Sequence, residues 1–161
     1  MGKKSSHSHQ FTQSVDAVYA GFTDPDTVRA KLEALGSRDI EIDVAEEDGV
    51  TIVTIDRTVP VNVSGSLQAM VGDSQKVRQT ERWEGGPGGP YSASVDVEPV
   101  GVPASMHGET TISADGDGCH CEATMEARCS IPVLGGKVEK MMIGDSDGKI
   151  AAEFDYIAQH C

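Results

Sequence analysis

Apolar positions repeat every second residue through the middle of the chain, and with a helical period near its start and at its end. Ser5 to Ser14 alternates loosely around Phe11, which predicts an opening strand. Ser14 is placed to cap a short helix whose Val15, Val18, Tyr19 and Phe22 share one face. Asp24-Pro25-Asp26 opens a second helix with Val28, Leu32 and Leu35 as its buried stripe, and Gly36 stops it. Ile40, Ile42 and Val44 then alternate with acidic residues, Glu47-Asp48-Gly49 turns, and Val50 to Val59 forms a β-branched strand. Lys76 to Glu84 predicts another strand, and the Gly/Pro-rich run from Gly85 to Pro90 must be a loop.

Two further alternating stretches follow, on Tyr91, Ala93, Val95 and Val97 and on Ala104, Met106, Gly108, Thr110 and Ile112. The turn Asp115-Gly116-Asp117-Gly118 leads into a strand with Cys119, Cys121, Ala123, Met125, Ala127, Cys129 and Ile131 on a dry face. His120, Glu122, Thr124, Glu126, Arg128 and Ser130 occupy its wet face. After Pro132 the period is helical again. Leu134, Val138, Met141 and Met142 share one side and Ile150, Phe154, Ile157 and Cys161 another, so a bend or break is expected near Gly144 to Gly148. Pro60 to Gly72 has weak periodicity and is expected to cross over as a loop with some helical turn.

The predicted order is strand, two short helices, about six strands and a long helix, a β-α-α-β6-α arrangement of the α+β class. We expect a curved antiparallel sheet of about seven strands wrapped around the C-terminal helix. Residues 1–161 suit one domain, with 1–5 as a flexible N-terminus.

Composition narrows the interior. Hydrophobic residues make up 38% and aromatic residues only 4%, so the core must be built from Val, Ile, Ala, Met and Cys. Such an interior suits a small cavity, or simply modest stability. The net charge of −13 argues against nucleic acid and against anionic membrane surfaces. No stretch has the ~20 consecutive apolar residues of a membrane span, and no secretory hydrophobic core follows the start. Met1 to Ser6 fits the loose N-myristoylation pattern, but a strand-like segment follows at once. A cytoplasmic location is expected, with Cys119, Cys121, Cys129 and Cys161 as free thiols.

At this point the chain resembles the helix-grip proteins of the SRPBCC superfamily, which includes START domains, the major birch-pollen-allergen family and polyketide cyclases. Within it, three stretches resemble a bacterial family of unknown function. They are Val18-Tyr19 to Phe22 with Asp24-Pro25, Glu81-Arg82-Trp83, and the junction from Ile131-Pro132-Val133-Leu134 through Gly135-Gly136-Lys137-Val138-Glu139. None is a catalytic motif. The resemblance implies a cavity between sheet and long helix that takes lipids, sterols, polyketides or aromatic metabolites.

In that arrangement Met106, Met125, Met141 and Met142 converge, either as an adaptable lining for an apolar guest or as fillers of irregular gaps. Alternation puts Gln79, Glu81 and Trp83 on one side. If Trp83 points inward, Glu81 is a buried carboxylate that needs a partner or stays protonated, with Arg57 on the facing strand and the Tyr91 hydroxyl as candidates. The alternative is that Glu81 and Arg57 form a surface cross-strand pair.

A metal reading of Cys119-His120-Cys121 fails on strand geometry, since alternate side chains face opposite ways and Cys129 lies roughly 27 Å further along. His7, His9, His107 and His160 find no third ligand, and Asp145-Ser146-Asp147-Gly148 lacks the closing Glu of a calcium loop. No phosphate-binding glycine loop or nucleophile elbow is present, so no metal or cofactor is expected. The leading function is binding or carriage of a small hydrophobic ligand by Arg57, Glu81, Trp83, Tyr91 and the four methionines. The alternatives are a cyclase-like enzyme with Glu81 as acid or base, and a protein-interaction domain with a filled core.

Overall fold

A computed structural model describes residues 2–61, 69 and 72–161. Its elements are β1 (Lys3–Phe11), α1 (Val15–Thr23), α2 (Pro25–Ala34), β2 (Arg38–Glu47), β3 (Val50–Pro60), β4 (Ser74–Glu84), β5 (Tyr91–Pro99), β6 (Ala104–Asp115), β7 (Gly118–Cys129) and α3 (Gly135–His160). One antiparallel sheet runs in the order β1-β7-β6-β5-β4-β3-β2, so every neighbouring pair except β1–β7 is also consecutive in sequence. The element order is the one that the periodicity predicts, and the arrangement is the helix grip that the resemblance implies. The expected crossover between Pro60 and Gly72 lies largely outside the described residues. None of the helices described is long and apolar enough to cross a membrane.

Local chemistry sets the element ends. The Ala17 amide donates to Ser14 Oγ at 3.2 Å, and the Thr27 amide donates to an Asp24 carboxylate oxygen at 3.0 Å, so each of the first two helices begins on a side-chain cap. Pro25 stands at the start of α2, and Gly36 beyond its end takes a φ of 96°.

Three expectations change. The first strand is paired from Lys3, opposite Ala127, so most of the segment expected to be a flexible N-terminus is already in the ladder. The dry face of β2 fades along its length. Ile40 is buried, Ile42 is half-buried and Val44 is exposed, because this edge strand runs out from under α2.

The third change concerns α3, which continues without a break for 26 residues. Gly144 and Gly148 each cost roughly 1 kcal/mol relative to Ala, and local and tertiary ties offset that. Lys149 donates to Asp145 one turn earlier at 2.6 Å, Ser146 is buried, and His7 of β1 meets Asp147 at 2.8 Å.

The inner face of the sheet carries Val53 and Ile55 of β3, Val77 and Trp83 of β4, Ala93, Val95 and Val97 of β5, and Cys119, Cys121, Ala123, Met125 and Ala127 of β7. Helix α3 lies mainly on β1 and β7. Its Val138, Met142, Phe154 and Ile157 are buried there, with Phe154 edge-on to Phe11 at 6.0 Å. Helices α1 and α2 close the end of the sheet near Trp83.

Gly108, on the inner face of β6 between Val95 and Met125, shows how closely this face is packed. A Cβ there would collide with the Thr124 carbonyl and the Met125 sulfur. Gly108→Ala should therefore lower the unfolding free energy by about 2 kcal/mol. Urea denaturation reads this directly, and an unchanged midpoint would show that the strand pair tolerates a side chain.

Candidate functional site

Because α3 rests on the β1/β7 side, the inner faces of β3 to β6 are left partly uncovered. The result is a hollow of about 170 Å³ between sheet and helix. Val95, Val97, Val77 and Val138 form much of its wall, Phe22 and Trp83 close one end, and Pro99 and Val102 stand at the other. Met106 and Met125 reach it from β6 and β7, and Met141 and Met142 reach it from α3, so all four methionines line it.

A row of polar side chains crosses this apolar wall along β4. Glu81 is 5% exposed and Trp83 is 1% exposed. The Trp83 indole Nε1 donates to Glu81 Oε1 at 2.9 Å, and Gln79 Nε2 donates to Glu81 Oε2. On the other side Gln79 Oε1 accepts from Arg57 Nη2 at 3.0 Å. Arg57 and Glu81 are thus joined through an amide rather than in direct contact. The register explains why: Arg57 stands opposite Val77, whereas Glu81 stands opposite Val53. Both face the hollow, which excludes the surface cross-strand pair.

Glu153 of α3 lines the hollow too, and it is held there by Lys31 of α2. Lys31 is 2% exposed, donates to the Gly21 carbonyl at 2.8 Å and to Glu153 Oε1 at 2.7 Å, and sits 4.6 Å over the Phe22 ring. At the rim, Asp145 and Lys149 pair with each other. Burial pushes the Glu81 carboxyl above its ordinary range, and the negative charge of Glu153 adds to this. Lys31 and the hydrogen bonds from Trp83 and Gln79 oppose it without cancelling it. Burial also lowers the Arg57 guanidinium, although Glu153, Glu81 and Asp145 act in the other direction.

The family model described as a protein of unknown function, DUF2505, matches residues 6–161. The chain belongs to this family. No curated protein matches the sequence. Among solved structures, this DUF2505 chain is similar to TTHA0849 from Thermus thermophilus, with 14% identity, a TM-score of 0.62, and 98% of this chain and 95% of that one covered. It is similar to Ara h 8.0201, with 11% identity, a TM-score of 0.64, and 99% and 100% of the two chains covered. A norcoclaurine synthase point mutant from Thalictrum flavum, solved with a transition-state analogue, gives 16% identity, a TM-score of 0.59, and coverage of 99% and 93%. At these identities the similarity establishes the fold alone, a seven-stranded antiparallel sheet with a long C-terminal helix.

The stretches that carry the family resemblance have structural work. Trp83 packs on Tyr19 and Phe22 at centroid distances of 5.4 and 5.5 Å, so the early stretch and the Glu81-Arg82-Trp83 stretch meet. At the junction before α3, a Cβ on Gly135 would lie 2.8 Å from the Cys129 carbonyl, and Glu139 accepts the Cys129 amide at 2.9 Å. These contacts lock the start of α3 to the end of β7.

Tyr91, expected beside Glu81, lies elsewhere. It stands opposite Ile112 and stacks on Tyr19 at 3.8 Å, and its hydroxyl donates to Asp16 Oδ1 at 2.7 Å. Burial and Asp16 push it up to about 12. Cys119 and Cys121 face inward while His120 faces outward to Gln10 and Glu122. The Cys121 thiol is pushed up to about 12, chiefly by burial, and is an inert packing group.

The sequence reading missed Lys31 and Glu153. Lys31 falls one position before Leu32 on the buried stripe of α2, and the only signal for its burial was that placement between Val28 and Leu32.

The raised Glu81 carboxyl has a definite consequence for stability. The folded state holds this proton more tightly than the unfolded chain does, so the contribution is full at low pH and is lost as pH rises from the ordinary 4.5 through the raised value. The stability of Glu81→Gln relative to wild type should therefore move in favour of the variant as pH increases above 4.5. Urea unfolding of both proteins across that range measures it, and a pH-independent difference would mean that Glu81 titrates normally.

Proposed function

We propose that the chain binds a small apolar molecule in the hollow between its sheet and α3. The observation that carries this reading is the hollow itself, walled by valines and methionines and crossed by one short row of polar groups. Small-molecule sites combine an apolar lining with a few placed polar groups in this way. The SRPBCC resemblance supports it, since a ligand cavity in that superfamily lies between sheet and long helix.

Size narrows the guest. About 170 Å³ is close to the ~150 Å³ of an engineered apolar cavity that takes benzene, and is below the ~300–1,000 Å³ of sites for drug-sized ligands. A single ring or a short aliphatic chain fits. A multi-ring polyketide, a sterol or a full acyl chain requires the methionine walls to move apart.

Carriage is favoured over turnover by the state of Glu81. Both of its oxygens already accept hydrogen bonds, from Trp83 and Gln79, and the Tyr91 hydroxyl that would assist it is committed to Asp16. A general acid or base must reach the proton it transfers, and here the carboxylate is held by its neighbours along the strand.

Ala123, buried on β7, lines the hollow without filling it. Ala123→Leu should occupy the space at a cost below about 1 kcal/mol, whereas overpacking a filled core costs roughly 1–3 kcal/mol. Native mass spectrometry of wild type purified from its own host should show a co-purifying small molecule that the variant lacks. A destabilised variant together with a ligand-free wild type would favour a filled interaction domain.

A further inference from the structure

We infer that the ligand carries a carboxylate and that Arg57 receives it, so that the guest is a small apolar monocarboxylic acid. This rests on the binding reading above and names the class of molecule bound.

The guanidinium presents five donors in a planar fork and stays protonated. One nitrogen, Nη2, is used by Gln79. The other terminal nitrogen, Nη1, is buried and has no hydrogen-bond partner among the described residues, on a side chain that lines the hollow. Leaving a buried charged donor unmade is costly, so the working state of the site must supply an acceptor.

Charge selects which acceptor. No carboxylate among the described residues forms an ion pair with Arg57. Each acidic group near it is already engaged by another donor. Glu81 accepts from Trp83 and Gln79, Glu153 is held by Lys31 at 2.7 Å, and Asp145 is held by Lys149 at 2.6 Å. Water would satisfy Nη1 only as a neutral acceptor. A carboxylate makes the stronger, charge-assisted bond, and it matches the fork geometry of a guanidinium. Val59, Val77, Val97 and Met106 line the same hollow, so the rest of the molecule should be apolar. The volume limits that remainder to about one ring or a short chain.

Calorimetric titration with benzoate and hexanoate, against benzamide and hexanamide as neutral counterparts and toluene as a purely apolar probe, tests this at neutral pH. The acids should bind about tenfold or more tightly than their amides. Arg57→Met should abolish that preference while still binding toluene, which also reports that the variant is folded. Arg57→Lys, which keeps the charge without the fork, should retain part of the preference. Equal binding of acid and amide by wild type overturns the inference and leaves the apolar hollow standing, as does a preference that survives in Arg57→Met. Failure of every probe, toluene included, removes the binding reading and this inference together.

Discussion

A single helix cannot cover a seven-stranded sheet, and the interior of this protein follows from that mismatch. A helix with its side chains is about 10 Å across, while neighbouring strands lie about 4.8 Å apart, so α3 spans roughly two strands. It spends that width on β1 and β7. Helices α1 and α2 cover the end where Phe22, Val18 and Val28 are buried. What neither covers is the stretch of β3 to β6 below Trp83, and that is where the hollow lies. The low aromatic content matters here, because valines and methionines on opposing walls do not reach far enough to close the gap.

The same gap accounts for the polar row on β4. In a packed core, an Arg-Gln-Glu-Trp chain would be a liability, since a partly satisfied buried network is worse than an apolar one. Here Glu81 is satisfied by two donors and Gln79 by its two neighbours, and the deficit is concentrated on one atom, Arg57 Nη1. The one unmade bond of the network thus belongs to a side chain that lines the hollow. Of the acids around it, Glu153 is paired with Lys31 and Asp145 with Lys149, while Glu81 is held by the neutral donors Trp83 and Gln79, so none of them bonds Arg57 directly.

The fold was legible because its signals are local. Caps at Ser14 and Asp24, the stop at Gly36, and the alternation from Cys119 to Cys129 each depend on a few adjacent residues, and each is found where the pattern puts it. The site was legible only as far as parity reaches. Once Trp83 is inward, Glu81 and Gln79 must be inward too. Parity alone does not fix how far one strand slides past another, so a direct Arg57–Glu81 pair and a nearby Tyr91 were expected. The actual register inserts Gln79 between the first two and carries Tyr91 beyond Trp83 to α1. The misread break in α3 is more instructive. The apolar stripe lapses at residues 144–148 because Asp145 and Ser146 line the hollow there instead of packing on the sheet. The lapse in the pattern marked the rim of the site, not the end of a helix.

Trp83 joins the frame to the site. Its ring is held by Tyr19 and Phe22 of α1, within the stretches that carry the family resemblance, and its indole N–H fixes one oxygen of Glu81. With that oxygen fixed, the other is turned toward Gln79, whose amide is thereby oriented with its carbonyl toward Arg57. The orientation of the guanidinium, and hence of its unpartnered nitrogen, descends in steps from an aromatic packing contact at the far end of the strand. Residues that read as purely structural in the family pattern therefore set the direction in which the site presents its charge.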